Sequence, residues 1–263
     1  MPLPLYHVNA FTHRPGGGNP AAVCLLKSMP SDEWLQMVAT QMNLSETAFL
    51  LPESDGYRLR WFTPGVEVAL CGHATLASAH ILWETGRLPV DQTARFQSRS
   101  GLLTAERSGK WIELDFPSRP AKPSTPPPEL AAALGVVPKY TGQNGMDWLV
   151  EVESAAVLRA VRPDYAKLAT VPVRGIIVTA VSDDPNYDFI SRFFAPAAGV
   201  LEDPVTGSAH CCLTPFWSER MGKTELRAFQ ASTRGGELQL RLVGERVRLG
   251  GLAETVLKGE LLL

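Results

Sequence analysis

The stretch Ala74–Trp83 (Ala-Thr-Leu-Ala-Ser-Ala-His-Ile-Leu-Trp) is small or apolar on every side of a helix. A helix that is apolar nearly all round has to be buried. The chain must therefore supply enough structure to surround it. A second small-residue helix opens near Gly207 and carries Cys211, Cys212 and Leu213, with a bend expected at Pro215. The approaches to the two helices echo each other. Phe62-Thr63-Pro64 precedes Gly72-His73-Ala74, and Phe194-Ala195-Pro196 precedes Gly207-Ser208-Ala209. Each half reads as strand, proline turn, acidic residue, glycine and buried helix, the pattern of a duplicated unit. The reading is α+β. It predicts two similar lobes, each a curved, mostly antiparallel sheet or barrel wrapped around a central helix, with the two helix N-termini facing across a cleft.

The run Pro117-Ser-Arg-Pro-Ala-Lys-Pro-Ser-Thr-Pro-Pro-Pro128 lies near the middle of the 263 residues. Proline removes backbone donors and favours extended chain, so the run reads as a linker. The division expected is an N-terminal lobe at 1–117, a linker at 118–128 and a C-terminal lobe at 129–263, with the last strand a candidate to return to the first lobe. Strands are expected at 4–11, 48–51, 57–61, 94–106 and 110–116, then at 146–152, 175–181, 187–194, 237–242 and 246–249. Ser31, followed by Asp32 and Glu33, reads as the start of a helix, and 154–161 reads as another.

Charge and cysteine usage exclude several classes. The formal net charge is −2 and no basic block exists, so nucleic acid is not an expected partner. No apolar run approaches the roughly 20 residues of a membrane span. The N-terminus lacks the basic and apolar regions of a signal peptide. Cys24, Cys71, Cys211 and Cys212 form no CxxC pair. Reduced thiols in a cytoplasmic protein are the expectation.

Three segments place ionisable groups where loops meet buried elements: Asn43 to Phe49, Glu67 to Thr75 and Glu202 to His210. Thr206-Gly207-Ser208 opens a helix whose free N–H groups and dipole attract an anion, and a substrate carboxylate suits such a place. Simple helix capping by Thr206 or Ser208 accounts for the same residues. His73 stands where an imidazole can exchange hydrogen bonds with a ligand, or be a satisfied buried side chain. Glu46 precedes the apolar run Ala48–Leu51. Partial desolvation there raises a carboxyl pKa toward what a general base needs at neutral pH, whereas an exposed loop glutamate has no such property. A zinc set drawn from His73, His210, Cys211 and Cys212 lacks metal-type spacing, so no metal is expected. Gly16-Gly17-Gly18-Asn19-Pro20 has neither dinucleotide nor P-loop spacing. It is a turn able to bring Asn19 to a ligand.

Taken together and in order, these segments resemble the phenazine-biosynthesis PhzF-like isomerase family. The resemblance rests on Gly18-Asn19-Pro20-Ala21-Ala22-Val23, Leu44-Ser45-Glu46-Thr47-Ala48-Phe49, Phe62-Thr63-Pro64 through Glu67 to Cys71-Gly72-His73-Ala74-Thr75-Leu76, and Phe194-Ala195-Pro196 through Glu202-Asp203-Pro204-Val205-Thr206-Gly207-Ser208-Ala209. It implies a diaminopimelate epimerase-like fold with the active site between two lobes, a homodimer, and no metal or organic cofactor. It also implies roles. The family's catalytic glutamate falls on Glu46, and its histidine, aspartate and serine fall on His73, Asp203 and Ser208. Asn19 and the backbone at Gly72, Gly207 and Ser208 fall where substrate is held.

The function so implied is a cofactor-independent isomerase that moves a proton between carbons of a small carboxylic acid. Two alternatives stay open. An amino- or hydroxy-acid epimerase would use Cys71, although the position of a second thiol is occupied by Ala209. A non-catalytic small-acid binding protein would use the same scaffold. Arg58, Arg60 and Arg234 are further candidates for holding an anion.

Overall fold

The computed structural model describes residues 2–262. It is α+β, and its elements fall into two compact units, Met1–Asp115 with Gly250–Leu263 and Phe116–Leu249. Chain order gives β1 (Leu3–Ala10), β2 (Asn19–Leu25), α1 (Asp32–Met42), β3 (Glu46–Glu53), β4 (Gly56–Phe62), β5 (Glu67–Val68), α2 (Gly72–Glu84), β6 (Ala94–Ser98), β7 (Gly101–Ser108) and β8 (Trp111–Pro117). There follow β9 (Lys122–Pro123), α3 (Pro128–Leu134), β10 (Tyr140–Gln143), β11 (Asp147–Glu151), α4 (Ala155–Ala160), α5 (Tyr165–Leu168), β12 (Gly175–Val181), β13 (Phe189–Ala195) and β14 (Val200–Asp203). The chain closes with α6 (Gly207–Met221), β15 (Glu225–Gln230), β16 (Gly236–Val243), β17 (Arg246–Gly251) and β18 (Ala253–Leu261).

In the first unit β1 lies between β2 and β18, antiparallel to both, and β2 runs parallel to β3. Ala22, Cys24 and Phe49 pack in one cluster with Leu35, Val38 and Ala39 of α1. Side chains alternate along a strand, so Ala21, Val23, Ala48 and Leu50, all fully buried, face the other way. That face meets α2, which also touches β1, β7 and β18. Ten residues of α2, from His73 to Trp83, are buried, which is why no polar stripe appears in its sequence. Ser31 caps α1 by accepting the Trp34 N–H at 3.3 Å. Asn43 ends that helix in the left-handed region at φ 48°, where asparagine is tolerated.

The second unit repeats the plan. Its strands form a mixed sheet in which β11–β12 and β13–β15 are parallel and β10–β11, β12–β13 and β15–β16 antiparallel. Leu130 and Leu134 of α3, Leu158 of α4 and Leu168 of α5 pack with Val150, Val178 and Ile190. Helix α6 touches β15 and β16. Pro215 inside α6 has no N–H to offer the Cys211 carbonyl one turn back. The backbone N–H of Arg119 takes that carbonyl instead, at 3.0 Å. The helix therefore continues through the proline to Gly222, which ends it at φ 66°.

Two local expectations change. The single strand read over 94–106 is a hairpin, β6–β7, turned at Ser98–Gly101 with Gly101 at φ 90° and Ser98 Oγ donating to Gly101 O at 2.8 Å. The buried positions, Ala94 and Phe96 before the turn and Leu103 and Ala105 after it, change phase at the turn, which a single-strand reading overlooks. The proline-rich stretch contains β9, which pairs with β10, and leads directly into α3, where Pro128 stands in the first turn. Among the described residues no helix is long and apolar enough to cross a membrane.

Candidate active site

Glu46 is the first residue of β3 and lies in parallel register with Ala21 of β2. Asn19, two residues before Ala21, is fully buried. It follows Gly18, whose φ is +65° and where a side-chain Cβ would fall 2.2 Å from Ala10 O, so only glycine fits. Asn19 and Glu46 thus share one end of a strand pair. Helix α2 opens beside them, with Cys71 extended at the N-cap and His73 in the first turn. Glu46 Oε2 lies 2.9 Å from His73 Nε2, with side chains 17% and 7% exposed. That oxygen is itself buried and has no aligned hydrogen-bond donor among the described residues. Cys71 Sγ lies 3.5 Å from His73 Nδ1 and 4.0 Å from Nε2, against the edge of the ring.

Burial opposes charge on His73, but its neighbours Cys71 and Glu46 outweigh it and hold its pKa well above the ordinary imidazole value. The Cys71 thiol is pushed up to about 11, by burial first and by the Glu46 charge second. At neutral pH Cys71 is therefore a thiol without charge, and of the two neighbours Glu46 is the one whose charge favours a proton on His73. A nucleophilic or basic cysteine needs a depressed pKa, and this one is displaced the other way.

In the second unit Asp203 ends β14, and Thr206, Gly207 and Ser208 begin α6. Thr206 Oγ1 donates to Asp203 Oδ2 at 2.5 Å and makes no capping bond to its own helix. The buried side chain of Gln230 clamps the same turn. Its Oε1 accepts the Thr206 N–H at 2.8 Å, and its Nε2 donates to Asp203 O at 2.7 Å. Ser208 Oγ accepts from Arg174 at 3.0 Å. Arg174 is anchored in turn on both carboxylate oxygens of Asp147, which is 1% exposed.

Glu46 and His73 thus meet in the first unit, with Gly72 next to His73 and Asn19 at the same end of the β2–β3 pair, and Asp203, Gly207 and Ser208 lie at the α6 N-terminus in the second. The sequence reading missed Arg174, Asp147 and Gln230. Arg60 is not available to a ligand, because Glu67 and Asp32 take its guanidinium. Among the described residues His210 belongs to no metal set. It is buried, with Nδ1 2.8 Å from Thr206 O, and burial lowers its pKa to about 4. All four cysteines are free thiols.

A family model described as "Phenazine biosynthesis-like protein" matches residues 8–259. A protein of Halalkalibacterium halodurans named an uncharacterized isomerase is 55% identical over 264 residues, covering 100% of both chains. A crystal structure from Enterococcus faecalis, described as of the phenazine biosynthesis protein PhzF family, superposes with a TM-score of 0.96 at 39% identity, covering 100% of both chains. At the level of fold alone, a hydroxyproline epimerase from Agrobacterium vitis is similar, with a TM-score of 0.62 at 13% identity over 99% of this chain and 92% of that one.

Proposed function

The chain belongs to the phenazine biosynthesis-like family and is an isomerase, and from that premise we propose that Glu46 is its single acid/base. The carboxylate takes a proton from one carbon of a small carboxylic acid and returns it to another. The observation that carries this reading is the 2.9 Å approach of Glu46 Oε2 to His73 Nε2 at a nearly dry position. A base must have a lone pair to spare, and the buried Oε2 has no partner among the described residues beyond its approach to His73 Nε2. His73 gives that carboxylate a cationic neighbour and orients it. Asp203 polarises the substrate. The backbone at Gly72, Gly207 and Ser208, with Asn19, holds the substrate carboxylate and the charge that develops as the C–H bond breaks. No step in this sequence calls on a metal or an organic cofactor. A homodimer with no nucleic-acid or membrane partner is part of the same proposal.

Epimerisation through Cys71 is the competing chemistry. A thiol whose pKa is pushed up to about 11 supplies little thiolate at pH 7, and Ala209 stands where the opposing thiol would be needed. The deciding experiment is a screen of small cyclic and amino carboxylic acids for enzyme-dependent deuterium uptake at carbon in deuterated water. Glu46→Gln is expected to keep its fold and lose at least about a hundredfold of the exchange rate. Retained exchange in that variant refutes Glu46 as the base, and loss of exchange on alkylating Cys71 would transfer the role to the thiol. Specific binding of an acid with no exchange at any carbon would favour a non-catalytic site.

A further inference from the structure

The three side chains at the mouth of α2 form a constellation that proton transfer does not exhaust. One carboxylate oxygen of Glu46, one ring nitrogen of His73 and the sulfur of Cys71 all lie within 4.8 Å of one another. The chemistry of this set is specific. A thiolate, an imidazole and a carboxylate are the three donor types that borderline-soft divalent cations accept together. Bonds of about 2.0–2.3 Å at tetrahedral angles place neighbouring donor atoms about 3.3–3.6 Å apart. The separations here bracket that range, at 2.9 Å for Oε2 to Nε2 and 4.0 Å for Sγ to Nε2. Sγ lies nearer Nδ1, at 3.5 Å, than Nε2, so the Cys71 and His73 side chains must rotate to bring all three donors to one centre.

We propose that Glu46, Cys71 and His73 form a three-ligand site for a thiophilic divalent cation such as Zn2+, whose occupancy switches the enzyme off. Two further observations support it. Glu46 Oε2 is buried without an aligned donor, so a lone pair points into the cluster ready for a cation or a proton. Cys71 stands at the N-cap of a helix of 13 residues, where the positive end of the dipole favours a thiolate once the metal has displaced its proton. That same dipole repels a bare cation. The Cys71 thiolate and the Glu46 carboxylate cancel the charge of the ion, with neutral His73 as third ligand, so the bound complex is neutral. Binding releases the Cys71 thiol proton and the proton carried by His73, and forms one metal–sulfur, one metal–nitrogen and one metal–oxygen bond. A fourth position stays open to water. The switch follows from shared atoms. The lone pair that binds the metal is the one that takes the substrate proton, so the switching effect rests on the role proposed for Glu46.

Cobalt(II), a spectroscopic stand-in for Zn2+, tests the site without turnover. Titration of the full chain is expected to saturate at one ion per chain with a thiolate-to-cobalt charge-transfer band that Zn2+ abolishes. Cys71→Ser should lose the band, and Glu46→Gln should bind at least about tenfold more weakly. The double variant Cys211→Ser, Cys212→Ser should keep both. Circular dichroism checks that each variant folds, and Glu46→Gln serves if Cys71→Ser does not. A band that survives loss of the Cys71 thiol, that vanishes in the double variant, or that never appears overturns the proposal. Deuterium exchange is read separately. If Glu46→Gln still exchanges, the proposed base is wrong while the band can stand. If Glu46→Gln loses exchange and no band forms, the base stands and the metal site falls.

Discussion

Arg174 reaches Ser208 Oγ at 3.0 Å with the buried carboxylate of Asp147 gripping its other side. Because Ser208 accepts that bond, its own O–H is free to donate to a ligand at the α6 N-terminus. Arg174→Gln removes the donor and leaves the Asp147 charge buried with one partner fewer. Breaking a buried pair is costly, but Arg174 is 37% exposed and water recovers part of the loss. A destabilisation of about 2 kcal/mol is expected, read from denaturant midpoints. If Ser208 holds the substrate carboxylate, KM should rise by more than kcat falls, and Arg174→Lys should restore part of the difference. An unchanged KM in a folded variant would remove Arg174 from any positioning role.

The turn before α6 makes a second case. Gln230 is fully buried and bonds both Thr206 N–H and Asp203 O. Gln230→Leu keeps the bulk but leaves the buried Thr206 N–H without its acceptor and removes the bond to Asp203 O. The buried N–H left unsatisfied costs about 1–3 kcal/mol, so unfolding free energy should drop by about that much. Activity should fall further than stability alone explains, since Asp203 loses its fixed orientation. A variant as stable as the parent would show that the clamp is incidental.

These two cases also show where the sequence runs out. Helix α2 is legible because an all-round apolar pattern has one physical meaning, and Ser31 with Asp32 and Glu33 announces α1 by capping chemistry. Of the strand pair that carries Asn19 and Glu46, only the apolar run at 48–51 is legible; β2, after the Gly16–Pro20 turn, is not. The meeting of Glu46 and His73 is not, because parallel pairing of β2 with β3 and the placement of α2 across them leave no local periodicity. Only the ordered motifs point to it. Arg174 with Asp147, and Gln230 with Asp203, are each 27 residues apart. An ion pair or amide clamp at that distance has no signature in the chain. The β6–β7 turn is marked only by Gly101 and by the shift of buried positions from Ala94 and Phe96 to Leu103 and Ala105.

Cysteine chemistry separates the competing mechanisms. Burial and the Glu46 charge push the Cys71 thiol up to about 11, and only the thiolate alkylates. Iodoacetamide at pH 7.5 should leave activity largely intact over a period that would inactivate a thiolate-dependent enzyme, and Cys71→Ser should remain active. Mass spectrometry of the tryptic peptide checks whether Cys71 has reacted. Rapid inactivation with modification confined to Cys71 would contradict the assignment of Glu46 as sole base.

The His73 pair makes stability depend on pH with a definite sign. The folded-state pKa of His73 lies above its ordinary value of about 6.5. The folded protein therefore binds a proton more tightly than the unfolded chain does. That preference is fully present below about pH 6.5 and is lost as pH rises through the elevated value. Unfolding free energy in urea should accordingly decline from about pH 6.5 upward in the parent protein. In His73→Asn the decline from this source should vanish, and in Glu46→Gln it should shrink, because the carboxylate opposite Nε2 is what sustains the charge. His210 is driven the other way, its pKa lowered by burial to about 4, so its contribution is already complete above the unfolded value and adds no slope in the alkaline range. Parallel pH profiles for the parent and His73→Asn would mean that the imidazole at the mouth of α2 is neutral, and with it the cationic neighbour assigned to Glu46 would be lost.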